Sequence, residues 1–173
     1  DLRDKIGYVS QKTLLFTGTI RSNIRYANET ATDAEVEKFA ETAQALDIVK
    51  ESERGFETPV AQGGANLSGG QRQRLTIARA LAKRPEIFIF DDSFSSLDYT
   101  TDAALRRALR KETRDATVLI VTQRIATIMG SDQIVVLDHG EVVGIGKHRE
   151  LMESCEVYRE IAQSQLTKEE LAS

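Results

Sequence analysis

Compact apolar runs, each ending in polar or turn residues, are the first pattern in this chain, and such runs predict buried strands. The predicted strands are residues 5–9, 86–90, 117–122, 133–137 and, after a turn at His139–Gly140, residues 142–146. Predicted helices separate the strands of the second half of the chain. This alternation of strand and helix favours a parallel α/β sheet that is buried on both faces.

Apolar residues spaced three or four apart are the second pattern, and they predict helices. The longest of them, residues 33–50, should begin near Thr32–Asp33. Its apolar face should hold Phe39, Ala43, Leu46 and Val49. Glycines around Pro59 predict a loop over residues 55–67. The other predicted helices are residues 18–26, 70–82, 100–113, 124–129, 148–153 and 155–171.

The order of these elements also predicts how the domain is organised. A mostly helical stretch, residues 20–82, lies between two α/β pieces, residues 1–19 and 83–147, and C-terminal helices follow over residues 148–173. We expect the two α/β pieces to form one core with the helical stretch inserted, because residues 1–9 are too few to fold without the later strands. Two small domains in series are the alternative.

Composition and charge narrow the classes of function. The 173 residues include 23 lysines and arginines against 27 aspartates and glutamates, a net charge of −4, so no nucleic-acid partner is expected. A single cysteine, Cys155, excludes an intramolecular disulfide and favours a reducing compartment. No apolar run approaches the roughly 20 residues of a membrane-spanning helix. Because the chain opens on Asp1 rather than Met, directly before a strand, we expect a cytosolic portion of a longer protein.

The most specific motif is Leu67–Gln71, with the sequence LSGGQ, at the start of the predicted helix 70–82. Its two glycines let the backbone approach a ligand closely. Ser68 offers a hydroxyl at the helix start, where free N–H groups and the helix dipole favour an anion. For these five residues alone, a plain serine N-cap with a flexible turn is the alternative.

A second motif delivers acidic side chains to the end of a buried strand. Four apolar residues, Ile87–Phe90, precede Asp91 and Asp92, and Ser95–Asp98 (SSLD) follows. Open α/β sheets bind ligands at this carboxyl end of their strands. Asp91 is suited to hold Mg²⁺, usually through water, and Asp92 to orient an attacking water. For paired acids alone, helix N-caps are the alternative.

Together, these motifs resemble the nucleotide-binding domain of an ABC transporter of the exporter type. Gln11 in the sequence YVSQ, then LSGGQ, the strand ending in Asp91, SSLD and Val121–Arg124 (VTQR) follow one another in the family's order. Residues 14–24 are also similar to exporters, and residues 57–64 resemble the exporter X-loop. The resemblance covers essentially the whole chain. It implies an α/β fold with the parallel-sheet core of P-loop NTPases (RecA-like), N-terminally truncated, with the inserted α-helical subdomain of ABC proteins.

The resemblance further implies a dimer of two such domains, which sandwiches two ATP molecules with Mg²⁺ and is coupled to transmembrane domains. In it, Gln11 of the Q-loop would touch Mg²⁺ and the attacking water, and Asp91 of Walker B would hold Mg²⁺. Asp98 belongs to the D-loop, which reaches across the dimer. The signature residues would bind the γ-phosphate of the ATP held by the opposite domain, and they are Ser68, Gly69, Gly70 and Gln71.

Three departures from the family pattern are as informative as the matches. A P-loop needs G-x-x-x-x-G-K-[ST], but the only Gly-Lys pair, Gly146–Lys147, has Glu141 where the first glycine should be, and His148 follows it. The family places its P-loop upstream of the Q-loop, so this chain alone should bind ATP poorly or not at all. Competent sites of the family carry glutamate, the general base, at the position of Asp92 and a switch histidine at the position of Gln123.

Asp92 and Gln123, the two catalytic candidates, would act on the same bound nucleotide. Aspartate is one methylene shorter than glutamate, and a displacement of about 1 Å costs on the order of 100-fold in rate. Glutamine cannot titrate or carry a positive charge. The combination resembles the degenerate half of a heterodimeric exporter. Its own site would be weak, whereas its intact signature would complete the strong site of a non-identical partner.

Two rival functions remain open from the sequence. A soluble ABC ATPase that acts on DNA or ribosomes would keep the catalytic glutamate and often carries coiled-coil or basic insertions, which this chain lacks. A regulatory or structural half would bind ATP without turnover. The other conspicuous side chains have ordinary interpretations: His139 and His148 as surface histidines, Cys155 as a helix residue, and a basic cluster as a solvated helix face, formed by Arg106, Arg107, Arg110, Lys111 and Arg114.

Overall fold

The computed structural model describes residues 1–167, and contacts divide the chain into two compact units. The first unit is Asp1–Val121 and the second begins at Thr122. Each unit has its own hydrophobic core. Among residues 1–167, no helix is long and apolar enough to cross a membrane.

A three-stranded parallel sheet forms the centre of the first unit. The strands of this unit are β1 (Ile6–Val9), β2 (Gly18–Thr19), β3 (Pro59–Val60), β4 (Ile87–Asp91) and β5 (Thr117–Val121), and its α-helices are α1 (Ile20–Arg25), α2 (Asp33–Thr42), α3 (Leu46–Lys50), α4 (Gly69–Ala82) and α5 (Tyr99–Glu112). The sheet order is β1-β4-β5, with Tyr8 opposite Ile89 and Asp91 opposite Val121. Strands far apart in sequence thus pair side by side, which confirms the predicted parallel α/β core.

The strands of this sheet differ in burial. Val9 in β1 and Phe88 and Phe90 in β4 belong to the core, whereas Leu119 and Val121 in β5 are 53% and 50% exposed. The predicted burial of both faces is therefore wrong for the strands that the structure describes. An apolar run indicates that a strand is able to be buried, but it does not indicate that other elements cover both of its faces.

The single helix predicted over residues 33–50 is in fact two helices, α2 and α3. Between them Gln44 adopts a left-handed conformation with φ of 56°. Its carbonyl oxygen accepts a hydrogen bond from Arg74 in α4, and the same guanidinium nitrogen lies 2.8 Å from both carboxylate oxygens of Asp47 in α3. The break is stabilised by Arg74, which is 30 positions away in sequence. The break has no glycine or proline near it, so the local sequence does not predict it.

The other helices of the first unit agree with the sequence pattern in type, but residues 18–19, predicted as the start of the helix over residues 18–26, form the strand β2. Helices α1, α4 and α5 lie where helices were expected. The predicted loop over residues 55–67 contains β3, which pairs antiparallel with β2, and two short 3₁₀-helices, Gly55–Glu57 and Gln62–Gly64. A third 3₁₀-helix, Leu2–Lys5, precedes β1. The boundaries of an inserted helical subdomain at residues 20 and 82 stay a prediction.

As far as residue 167, the second unit consists of a β-hairpin and three helices. Its elements are α6 (Ile125–Ile128), β6 (Ile134–Asp138), β7 (Glu141–Gly146), α7 (His148–Ser154) and α8 (Glu156–Gln165). β6 and β7 pair antiparallel in a sheet of their own. His139 and Gly140 both have positive φ in the turn, as a two-residue hairpin of this kind requires. Of the helix predicted over residues 155–171, residues 168–171 lie outside the described residues.

Two single-residue predictions in the second unit are wrong. His148 is only 8% exposed because Tyr158 of α8 packs against it. Cys155 is buried but lies between α7 and α8 rather than inside a helix. His139, with 95% of its side chain exposed, is the predicted surface histidine.

The predicted solvated face of α5, in the first unit, is also confirmed, since Arg106 pairs with Asp102 and four further basic residues are exposed, namely Arg107, Arg110, Lys111 and Arg114.

Candidate functional site

The LSGGQ motif forms the capped N-terminus of α4. The Ser68 hydroxyl accepts a 3.2 Å hydrogen bond from the Gln71 N–H, and the Gln71 side chain accepts a 2.9 Å bond from the Ser68 N–H. This reciprocal capping box leaves the N–H groups of Gly69 and Gly70 without an acceptor among residues 1–167. Ser68 itself is exposed. The motif therefore offers a hydroxyl and two free N–H groups to an anion at the surface of the first unit.

The absence of a side chain at Gly70 lets α4 approach the SSLD segment. A Cβ built on Gly70 would lie 3.3 Å from the carbonyl oxygen of Ser96 and 3.6 Å from the Leu97 side chain. At Gly69 the nearest atom would be 3.8 Å away, which is an ordinary contact. The structure thus brings the signature and the SSLD segment together through the second glycine.

Arg72 connects the signature helix to the preceding loop by hydrogen bonds. Its guanidinium donates a 2.6 Å hydrogen bond to the carbonyl oxygen of Leu67 and a 3.4 Å bond to that of Gly64. Gly64 has a φ of 73°, and a Cβ at this position would collide with the Arg72 side chain at 2.7 Å. Gly64 and the first turn of α4 are therefore packed against each other.

The acidic side chains lie at the carboxyl end of β4, as predicted. The Tyr8 hydroxyl donates a 2.9 Å hydrogen bond to Oδ2 of Asp91. This bond to the Asp91 carboxylate, aided by burial and the negative charge, raises the pKa of Tyr8 above its usual value. Oδ1 of Asp91 has no hydrogen-bond partner among residues 1–167.

Gln11 and Asp92 meet at the same end of the sheet. The Gln11 side-chain amide donates a 3.3 Å hydrogen bond to Oδ2 of Asp92, although 81 positions separate them. Asp92 is held in a left-handed conformation with φ of 44°, and its N–H donates a 2.8 Å bond to the Val121 carbonyl oxygen. Aspartate is one of the residues that tolerate this conformation. The backbone therefore fixes the position of the candidate catalytic carboxylate.

Asp98 is the N-cap of α5. Its carboxylate accepts a 2.9 Å hydrogen bond from the Thr101 N–H. Hydrogen bonds from Thr101, first from its side chain and then from its backbone, hold the pKa of the Asp98 carboxyl below its usual value. The side chain is thus ionised at neutral pH and fixes the start of the helix that follows SSLD.

Gln123 lies in the second unit, between β5 and α6, with an exposed side chain. The Gln165 side chain of α8 donates a 2.7 Å hydrogen bond to the Gln123 carbonyl oxygen and accepts a 3.0 Å bond from the Ile125 N–H. One amide therefore holds the backbone on both sides of Arg124.

The residues at the end of β4 fit Mg²⁺. No cluster of three or more potential ligands among His, Cys, Asp and Glu occurs in residues 1–167. Mg²⁺ in nucleotide sites, however, usually takes one or two carboxylates and completes its shell with water and phosphate oxygens. Asp91 provides a carboxylate oxygen that no group in residues 1–167 occupies, and the amide of Gln11, whose nitrogen binds Asp92, would provide a second hard oxygen donor.

The sequence analysis missed two contacts of the candidate residues, that of Tyr8 with Asp91 in the first unit and that of Gln165 with Gln123 in the second. Tyr8 is in the YVSQ motif, but only the strand register places it beside Asp91. Gln165 is one of two glutamines in an amphipathic helix, and no pattern distinguishes it. Gly146–Lys147, already rejected as a P-loop, lies at the junction of β7 and α7.

Comparison with known proteins agrees with this geometry. Residues 1–95 match the family described as ABC transporter. An uncharacterized ABC transporter ATP-binding protein of Mycobacterium tuberculosis is 46% identical over 163 residues, 92% of this chain and 28% of that protein. An ATP-dependent lipid A-core flippase of Photobacterium profundum is 42% identical over 162 residues, 93% of this chain and 28% of the flippase. The solved structure of a bacterial Atm1-family ABC exporter with ATP bound superposes with a TM-score of 0.92 at 36% identity, covering 96% of this chain and 29% of the exporter chain.

The chain belongs to the ABC transporter family, and its fold is the α/β fold of the ATP-binding domain of exporter-type members. The resemblance predicted from the motifs is thereby confirmed. The chain spans a little more than a quarter of the length of the relatives it matches.

Proposed function

We propose that this chain is the ATP-binding part of one half of a membrane exporter and acts at the cytoplasmic face of the cell membrane. Together with a second nucleotide-binding domain, it would couple ATP binding and hydrolysis to export through the transmembrane domains. The observation that carries this proposal is the exposed Ser68 hydroxyl beside the N–H groups of Gly69 and Gly70, for which residues 1–167 provide no acceptor. Such a surface is suited to the triphosphate that another polypeptide holds.

By resemblance to the family, the residues that would serve the nucleotide of this half are Gln11, Asp91, Asp92 and Gln123. Asp91 and Gln11 are the residues that would hold Mg²⁺, which neutralises phosphate charge when bound. The Asp92 carboxylate, fixed by its backbone and by Gln11, would orient the attacking water. The 173 residues contain no P-loop motif, so the proposed ATP binding needs that motif in the full-length protein.

We further propose that this half is the weak half of a heterodimer. Asp92 is one methylene shorter than the family's glutamate, and Gln123 lacks the titratable ring of the switch histidine. Both replacements affect one nucleotide, whereas the signature that would serve the opposite site keeps every motif residue. Most hydrolysis would therefore depend on a glutamate and a histidine of a non-identical partner.

Site-resolved hydrolysis in the full-length heterodimer tests this proposal. The double variant Asp92→Glu/Gln123→His should raise turnover at the site of this half by about tenfold or more. Trapping of a photoreactive nucleotide on each half measures the turnover of each site separately. Asp132→Glu/Gln163→His makes the same chemical changes at two exposed positions and should leave turnover unchanged. Equal labelling of the double variant and the original protein would contradict the weak-site proposal, and no nucleotide-dependent labelling on either half would contradict ATP binding itself.

A further inference from the structure

The structure assigns a further residue to the proposed magnesium site, because Tyr8 positions the carboxylate of Asp91. This inference rests on the proposed role of Asp91 as a Mg²⁺ ligand. The Tyr8 hydroxyl donates a 2.9 Å hydrogen bond to Oδ2 of Asp91. Tyr8 lies opposite Ile89 in the β1–β4 pair, and Asp91 is two residues further along β4. Because side chains alternate along a strand, Tyr8, Ile89 and Asp91 lie on the same face of the sheet.

The backbone of Asp91 is already fixed without Tyr8. Asp91 pairs with Val121 of β5 in the parallel ladder. The buried Ser93 hydroxyl lies 2.9 Å from the Val9 carbonyl oxygen and 3.3 Å from that of Asp91. The remaining freedom of Asp91 is the rotation of its carboxylate, and the phenol of Tyr8 restricts that rotation. It occupies Oδ2 and leaves Oδ1 for the metal.

Tyr8 is the only side chain among residues 1–167 that donates a hydrogen bond to the Asp91 carboxylate. The side-chain amide of Gln11, another donor in the YVSQ motif, binds Asp92 instead. Hydrogen-bonded partners of metal ligands fix the orientation of those ligands, and their removal typically costs about 10–100-fold in metal affinity. Tyr8→Phe keeps the ring and removes only the hydroxyl that binds Asp91.

The test measures Mn²⁺ binding to the full-length protein saturated with ATP, by electron paramagnetic resonance. Mn²⁺ prefers the same oxygen ligands as Mg²⁺ and is directly visible. Tyr8→Phe should raise the dissociation constant for Mn²⁺ by about tenfold at the sites that contain this Asp91, whereas metal-free binding of a fluorescent ATP analogue should stay unchanged. Tyr26→Phe is the matched control, because it removes the same hydroxyl from another exposed tyrosine of the first unit and keeps the ring that packs on Phe16.

Asp91→Asn separates failure of the inference from failure of the proposed function. Asp91→Asn should abolish Mn²⁺ binding at the same sites. If Asp91→Asn does so while Tyr8→Phe binds Mn²⁺ as tightly as Tyr26→Phe, the positioning role of Tyr8 is wrong. An equal loss of metal-free nucleotide binding in Tyr8→Phe would also overturn it, because the defect would then be a general one. Unchanged Mn²⁺ binding in Asp91→Asn would instead contradict the proposed magnesium site.

Discussion

Nδ1 of His148 lies 2.8 Å from the hydroxyl of Tyr158, and both side chains are buried in the second unit. Burial, and to a lesser extent the charge of Arg149, lowers the pKa of His148 below its usual value of 6.5. Burial raises the pKa of Tyr158 to about 12. The pair is therefore stable with a neutral imidazole and a protonated phenol.

This pair predicts a pH window for the stability of the second unit. The folded state binds a proton on His148 less readily than the unfolded state, so stability is full above about pH 6.5 and falls as the pH drops through the lowered pKa. The folded state keeps the Tyr158 proton longer, so stability also falls as the pH rises from about 10 to 12. Denaturant unfolding across this range should show both limbs. His148→Gln should flatten the acid limb alone and Tyr158→Phe the alkaline limb alone, and an unchanged acid slope in His148→Gln would contradict the assignment.

The two signature glycines should differ in their tolerance of alanine. Alanine favours a helix over glycine by about 0.5–1 kcal/mol, and Gly69 has room for a Cβ. Gly69→Ala should therefore raise the free energy of unfolding by about that amount. Gly70→Ala should unfold at least about 1 kcal/mol more easily than Gly69→Ala, because its Cβ presses on the Ser96 carbonyl. Calorimetry of the two purified full-length variants compares them directly, and equal stabilities would contradict the close packing.

A large cation at Ser68 should block the opposite nucleotide site. Ser68→Arg places bulk where the partner's γ-phosphate would bind, so we expect ATP hydrolysis by the full-length dimer to fall at least about tenfold. Ser164→Arg makes the same change at an exposed serine of α8 and serves as the control. Steady-state phosphate release measures both. Retention of full activity in Ser68→Arg would mean that the signature does not serve a hydrolysing site.

The side-chain amide of Gln165 should protect the Ile125 N–H, two residues after Gln123, from hydrogen exchange with solvent. Ile125 is 3% exposed, and its N–H would lose its side-chain acceptor in Gln165→Ala. A buried donor without a partner costs about 1–3 kcal/mol, so amide hydrogen exchange at Ile125 should accelerate by about tenfold or more. Gln163→Ala, at an exposed position of the same helix, should leave this exchange rate unchanged. Equal rates in the two variants would show that the bridge is not what protects the segment.

Element types were predictable from the sequence because apolar runs and helical spacing act locally. The strand predicted over residues 86–90 and the helix predicted over residues 70–82 lie within one residue of β4 and α4. The break at Gln44 was not predictable in this way. It depends on Arg74, which reaches it from another helix, and distant contacts of this kind leave no mark in the local pattern.

The candidate site shows the same limit. The motif residues were located individually, but the Gln11–Asp92 and Tyr8–Asp91 hydrogen bonds depend on which strands are neighbours and in what register. Likewise, the burial of His148 depends on Tyr158, which belongs to a different helix. Residue type identified the chemistry, and only the three-dimensional pairing identified the partners.

The Ser68 hydroxyl serves two purposes with one oxygen atom. It closes the first turn of α4, and it also faces the place proposed for a phosphate. Alanine scanning at this position would therefore report a frayed helix and a lost ligand contact as a single defect. Substitution by aspartate distinguishes the two roles, since a carboxylate is a competent N-cap but repels a phosphate. Ser68→Asp would therefore keep the helix cap and lose the binding of the phosphate.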